Sequence, residues 1–368
     1  MGSGFFSCMS LREKRPTGLF RKSVYYCVLG TPYKRLLSMQ QSTLKKLSEV
    51  LGLSISTVSR ALKDHPDISA GTKSKVRELA ELMEYEPNGN AVQLRTRQSN
   101  VLGILVPVIN NFFYDSFISS VEEEARQHGY SILIMQSRDS LQLETSSLHL
   151  FRKKMVMGLF ASISTEIEDM APFQKLKELD VPLVFFDRVP EQAGLIKVCM
   201  ADEISAAIAA DAIIAKGKKS VLGLFGHPHL SLSRKRVNSF RETLTGKAPG
   251  IHFDIDYPEN IEESKRCALR WLAGERKYDV IFCMGDLILI GVMHAVHELN
   301  LRIPEDIAII GISNGLIPTF YNPKITYVET SGYKLGKLAF SQMLACIRGE
   351  EVEEEVFVES MLVEGGSL

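Results

Sequence analysis

Between Thr43 and Lys63, apolar positions recur at helical spacing in two short runs separated by a glycine. Leu44, Leu47, Val50 and Leu51 share one face of a first helix that Thr43 can cap. Gly52 stands where the chain must turn sharply, Leu53 plugs the turn, and Ser54 can cap a second helix. In that helix Val58, Ala61 and Leu62 point inward. Ile55, Ser56, Ser59, Arg60 and Lys63 are left outside, mostly short and polar or cationic. Ser69 can cap a third helix running to about Tyr85, with Val76, Leu79, Ala80 and Met83 on one face, before Pro87-Asn88-Gly89 breaks it. This pattern predicts a three-helix head with a helix-turn-helix whose second helix suits the DNA major groove. An ordinary amphipathic helical hairpin is the alternative.

From Val101 the texture changes to apolar strands alternating with amphipathic helices. Strands are expected at Val101–Pro107, Tyr130–Gln136, Gly158–Ser162, Pro182–Asp187, Val221–Gly226, Val280–Gly285 and Ile307–Ile312. Helices are expected at Phe117–His128, Ile204–Lys216, Leu232–Leu244, Ile261–Leu272 and Leu287–Leu299, with a last helix over Phe340–Ile347 and one strand within Glu351–Leu362. Fully apolar strands separated by helices mean parallel sheets covered on both faces, an α/β class. The length of this part suggests two such sheets, with a change of subdomain near Asp187–Asp202. The expected organisation is a leader (1–38), a DNA-binding head (39–87), a linker (88–99) and a core (100–368).

Charge adds a modest argument. The net charge of −1 hides 16 Lys/Arg against 8 Asp/Glu in residues 1–100, but residues 1–38 contribute most of that excess. The leader has no periodicity and too short an apolar stretch for secretion; Met39 is the expected true start, with residues 1–38 disordered or absent. Six scattered cysteines without a C-x-x-C pair argue against a zinc site or disulfide scaffold and for a reducing cytoplasm. Cys199 and Cys283 lie in apolar, strand-like runs and are expected as buried thiols. No apolar run approaches a membrane span.

The ordered matches Thr43-Leu44, Ser54-Ile-Ser-Thr-Val-Ser-Arg60, Tyr85-Glu-Pro-Asn88, Ala91-x-x-Leu94, Phe185-Phe-Asp-Arg188, Ala201-Asp202, Ser233-x-x-Arg236, Asp286-x-x-x-x-Gly291 and Ile303-Pro-Glu-Asp306 extend along residues 43–364. With these residues the chain resembles the lactose-repressor/galactose-repressor family of bacterial regulators. The resemblance implies a helix-turn-helix head on a core like the periplasmic sugar-binding proteins, with two sheet subdomains around a cleft. It places Thr43, Ser54, Ile55, Ser56, Thr57, Ser59, Arg60, Asn88 and Leu94 at DNA: Ile55, Ser56 and Arg60 at bases, Thr57 and Ser59 at phosphates, and Leu94 as a wedge in the minor groove. It places Arg236 and Asp286 at an effector, with Phe112 and Phe113, in a loop after the first strand, offering faces to a sugar or base ring. Asp187 is a weaker candidate, as is Asp202; each could equally cap a helix or pair with an arginine. Gly285, Ser313-Asn314, Glu203 and Ser239 depart from common family residues and leave the effector's identity open.

Catalysis fits poorly. Gly311-Ile-Ser313-Asn-Gly315 matches a nucleophile elbow, but Pro318 and Pro323 follow and no histidine lies beyond His297. His294, His297 and Glu298 read as surface residues, and Gly332–Lys337 falls one residue short of a phosphate loop and has Leu338 where Ser or Thr belongs. The resulting expectation is a non-enzymatic cytoplasmic repressor without cofactor or metal. It acts as a homodimer on a near-palindromic double-stranded operator and is controlled by a small molecule, a carbohydrate by preference. A protein co-regulator, or a sugar receptor or enzyme on the same core, are the alternatives.

Overall fold

In a computed structural model of the chain, residues 43–85, 99–165 and 169–368 are described. The expected leader and most of the expected linker, including Asn88 and Leu94, lie outside the described residues. The chain divides into two compact units between Val92 and Gln93.

The first unit holds α1 (Leu44–Leu51), α2 (Ile55–Leu62) and α3 (Ala70–Leu82). Each starts with a side-chain cap: Thr43 accepts from the Lys46 N–H at 3.3 Å, Ser54 from Thr57 at 3.1 Å and Ser69 from Thr72 at 3.3 Å. Gly52, at φ 64°, supplies the left-handed residue that ends α1. Leu47, Val58, Ala61, Val76 and Ala80 form the buried centre, and Leu53 packs against it from the turn. α3 ends at Leu82 rather than near Tyr85. Glu84 adopts a left-handed φ of 47°, which turns the Tyr85 N–H back onto the Ala80 carbonyl at 2.8 Å.

In the second unit, β1 (Val101–Val106), β2 (Ser131–Gln136), β3 (Gly158–Ala161), β4 (Leu183–Phe186) and β5 (Ile196–Met200) form a parallel sheet in the order β2-β1-β3-β4-β5. A second sheet repeats this order with β6 (Ser220–Leu224), β7 (His252–Asp256), β8 (Val280–Cys283), β9 (Ala308–Ser313) and β10 (Thr326–Glu329) as β7-β6-β8-β9-β10. β11 (Glu355–Val358) adds a parallel edge to the first sheet; β12 (Met361–Val363) adds an antiparallel one to the second. The strands are short and aliphatic, and most of their residues are buried.

The helices between the strands are α4 (Phe112–Gln127), α5 (Leu141–Lys153), α6 (Ala171–Lys177), α7 (Asp202–Ala215), α8 (Ser231–Lys247), α9 (Ile261–Leu272) and α10 (Asp286–Glu298). A last helix, α11 (Gly332–Arg348), returns to the first sheet and packs on α4. The chain therefore passes between subdomains three times: after Met200, after Glu329, and between Val358 and Met361. Phe117 and Phe186 stack at 3.6 Å under the first sheet; Phe225, Phe240 and Phe282 cluster under the second.

Several expectations need correction. β7 and β10 were not anticipated, because Asp254, Asp256 and Glu329 break their apolar runs, and β5 was anticipated only as the strand-like run around Cys199, which Lys197 interrupts. Helices α5 and α6 were also missed. The single strand expected within Glu351–Leu362 is two strands in different sheets, split at Glu359-Ser360. Phe112 and Phe113 are not in a loop: Asn111 accepts from the Phe113 N–H at 2.9 Å and starts α4 there. Gly332 and Gly336 belong to α11. A Cβ on Gly336 would stand 2.8 Å from the Phe117 carbonyl oxygen, and one on Gly332 would collide with that of Phe113, so both glycines let two helices touch.

Candidate functional site

In the head, the outward face of α2 presents Ile55, 47% exposed, with Ser56 and Arg60 also exposed. Thr57 and Ser59 are half-buried beside them. The Ser54 hydroxyl, besides capping α2, lies 2.8 Å from both the Ser56 and Thr57 hydroxyls, so the start of the helix is a ring of small hydroxyls. Among the described residues Arg60 pairs with Asp67, at 3.9 Å, and its side chain is about half exposed. Thr43 is exposed at the start of α1. The face thus combines a fork of donors, an apolar contact and hydroxyls at a helix amino end, which suits base edges and phosphates.

In the core, both sheets have the strand order that creates a crevice beside the first strand, at the carboxyl ends of the strands. A cavity of about 240 Å³ lies there, lined from the first subdomain by Phe112, Phe113, Tyr114, Asp187 and Arg188, and from the second by Arg236, Met284, Asp286 and Asn314 among others. All five residues expected at an effector (Phe112, Phe113, Asp187, Arg236 and Asp286) therefore line one cleft. Phe112 sits on a helix of the first subdomain but packs against the apolar core of the second, whereas Phe113 packs against the first.

Each buried charge has a distinct arrangement. Arg236 donates through Nε and Nη2 to Asp202 Oδ1, both at 2.8 Å, and through Nη1 to the Met284 carbonyl at 3.1 Å. Asp202, the first residue of α7, is therefore an arginine partner. Burial pushes its carboxyl up to about 6, against the opposing pull of Arg236 and with a further push from Asp187. Asp187 follows β4 with a left-handed φ of 58° and accepts from the Tyr114 hydroxyl at 2.6 Å. It is thus neither a helix cap nor a direct arginine partner. Burial raises its pKa, while Tyr114, Arg188 and Arg236 oppose the shift. Asp286 opens α10 and accepts from the Ser313 hydroxyl at 2.5 Å and the Asn314 N–H at 3.2 Å; burial raises its pKa too.

Sequence reasoning gave no role to four further groups in the cleft. Arg188 donates to Asp139 at 2.6 Å, beside Thr165. Asn314 donates through Nδ2 to the Phe112 carbonyl at 3.2 Å and to Ser116 Oγ at 2.7 Å, and accepts from the Gly332 N–H at 2.9 Å. Its amide thus ties the end of β9 to the first turns of α4 and α11, in the other subdomain. Arg188 was visible in the Phe-Phe-Asp-Arg motif, and Asn314 as a departure from a common Asp. Asp139 and Thr165 had no motif, since only tertiary folding brings them together. Cys199 and Cys283 are buried free thiols. Ser313, the serine of the elbow-like motif, is engaged with Asp286, and a 3-10 turn at Ile317–Phe320 follows it. No described helix is long and apolar enough to cross a membrane.

Residues 43–88 match the family model of bacterial regulatory proteins, lacI family, and residues 210–368 match a periplasmic binding protein-like domain. The HTH-type transcriptional repressor PurR of Vibrio cholerae serotype O1 is 24% identical over 321 residues, covering 86% of this chain and 94% of that protein. The fold is similar to the lac repressor dimer bound to operator and the anti-inducer ONPF: TM-score 0.80, 21% identity, 89% of this chain and 99% of that one. It is also similar to the transcriptional regulator CelR–cellobiose complex: TM-score 0.65, 21% identity, 89% and 100% covered.

Proposed function

This chain belongs to the lactose-repressor family of bacterial regulators, with a DNA-binding head on a ligand-binding core, and from that premise we propose a cytoplasmic, homodimeric repressor whose grip on a near-palindromic operator is set by a carbohydrate in the cleft. The convergence of Phe112, Asp187, Arg236 and Asp286 from two subdomains on one cavity carries the reading. A similar fold holding cellobiose supports the choice of ligand class. Aromatic faces, a guanidinium and carboxylates are the groups that bind a polyhydroxylated ring.

At the operator, Arg60 bonds a guanine edge, Ile55 meets a thymine methyl, and Ser56 reads an adjacent base. Thr43, Ser54, Thr57 and Ser59 hold phosphates at helix amino ends. Leu94 enters the minor groove at the operator centre, and Asn88 is a further DNA contact. Two heads on one duplex match two half-sites to the dimer axis. A ligand that binds the closed cleft more tightly than the open one shifts the DNA-competent population, and DNA changes ligand affinity by the same factor.

Selection of genomic fragments on the purified protein, repeated with a panel of sugars, tests this. A shared palindrome whose retention changes with one sugar is the expected result. No enriched palindrome would remove the DNA reading; a palindrome indifferent to every sugar would remove the carbohydrate.

A further inference from the structure

The pairing of charges in the cleft restricts the ligand further. Both guanidiniums that could receive an anionic group are already matched: Arg188 with Asp139 at 2.6 Å and Arg236 with Asp202 at 2.8 Å. Two carboxylates remain without a directly bonded cation, one from each subdomain. Asp187 is held by the Tyr114 hydroxyl, and Asp286 by the Ser313 hydroxyl and the Asn314 N–H, all neutral donors. Asp187 Oδ1 takes no hydrogen bond among the described residues, and a carboxylate has about four acceptor sites. His227 and Glu259, which also line the cavity, stand 3.6 Å apart.

Leaving the His227–Glu259 pair aside, the balance among the described residues is therefore four carboxylates (Asp139, Asp187, Asp202, Asp286) against two guanidiniums. The amino ends of α4, α8 and α10 oppose this excess, but each supplies only about half an elementary charge. Two are also engaged already: Asn111 caps α4, and α10 opens with Asp286 itself. The site stays negative.

Resting on the ligand-binding reading above, we propose that the effector is an uncharged polyol whose hydroxyls donate to Asp187 and Asp286 together, and that the cleft rejects the phosphorylated or carboxylated forms of the same sugar. Hydroxyl-to-carboxylate bonds are charge-assisted and short, and Phe112 offers a flat apolar face for the ring. Because one carboxylate belongs to each subdomain, a ligand bonded to both draws them together. Among the described residues an anionic ligand gains no unmatched guanidinium here and faces two like charges.

Titration calorimetry and thermal shift on the full chain with matched sets test this: D-glucose, glucose 6-phosphate and gluconate; D-ribose and ribose 5-phosphate; cellobiose and cellobionate. The neutral member of a responsive set binds at least about tenfold tighter than its anion. Asp187→Asn narrows that gap, and asparagine tolerates the left-handed backbone at this position. Asp286→Asn provides the same test from the other subdomain should the first variant fold poorly. An anion binding as tightly as its neutral parent, or a gap unchanged in a folded variant, overturns the proposal while leaving a carbohydrate site standing. No response from any member of any set removes the carbohydrate reading itself.

Discussion

Replacing Arg236 by Met should produce a defect in stability that grows with pH. In the native chain the guanidinium holds Asp202, and both side chains are under a tenth exposed. The Asp202 carboxyl lies at about 6, raised by burial and lowered again by Arg236, with Asp187 pushing it up. Without that cation only Lys235 still opposes burial and Asp187, so the folded variant keeps its proton on Asp202 to a higher pH than the wild type. A group whose folded pKa exceeds its unfolded value contributes stability at low pH and loses it as pH rises through the folded value.

Near pH 5 Asp202 is mostly protonated in both proteins. The variant then loses only the hydrogen bonds of Arg236, including that to Met284, about 1–2 kcal/mol. Above pH 6 the deficit should grow by about 1.4 kcal/mol per pH unit until the variant's own Asp202 ionises. By pH 8 this brings it to ~4 kcal/mol, within the usual cost of breaking a buried pair. Urea unfolding followed by Trp271, the single tryptophan, whose indole donates to Asp256 in the second subdomain, reads the effect directly. A second replacement, Asp202→Asn, should remove most of the slope, leaving the part that comes from Asp187, whose carboxyl Arg236 also lowers. A deficit constant between pH 6 and 8, or one that shrinks, would refute the reasoning.

Other consequences are simpler. Gly336→Ala should lower thermal stability by about 1–3 kcal/mol, since the new methyl meets the Phe117 carbonyl where α11 touches α4. Ser54→Ala should cost the head about 1 kcal/mol in its own thermal transition, through loss of the bond from Thr57, with the core transition unmoved. Arg60→Ala should leave both transitions in place and weaken binding to a selected operator by ~1–3 kcal/mol in fluorescence anisotropy, with relaxed preference at one base pair. Asn314→Asp should destabilise the core by ~1–3 kcal/mol in urea, because a carboxylate cannot donate to the Phe112 carbonyl.

The head was the most legible part, because local chemistry decides it: caps at Thr43, Ser54 and Ser69, a left-handed glycine at 52 and a short apolar periodicity. Its one boundary error, at Tyr85, came from a positive φ at Glu84 that no propensity announces. In the core, strands that read as aliphatic runs, such as Val280–Cys283, were visible. His252–Asp256 was not, because its polar residues Asp254 and Asp256 are answered from elsewhere, by Tyr278 and Trp271. The cleft was half legible. Resemblance picked out Arg236 and Asp286, but not that Arg236 is already committed to Asp202, nor that Arg188 is matched by Asp139, 49 residues away. Those pairings, which fix the sign of the site, depend on contacts between distant segments.

The three passages of the chain between subdomains also set an order of assembly. The first sheet has five of its strands by Met200, yet its edge strand β11 ends at Val358, and α11, whose Leu335, Ala339, Phe340 and Met343 cover Phe117 and Val121, begins at Gly332. On a ribosome adding ~5–20 residues per second, the roughly 160 residues between those points take on the order of 10–30 s. Through that interval α4 has its apolar face uncovered while the second sheet is being built. The half that is translated first is thus among the last to be finished, and the nascent chain is most exposed to aggregation while the second half is still being made.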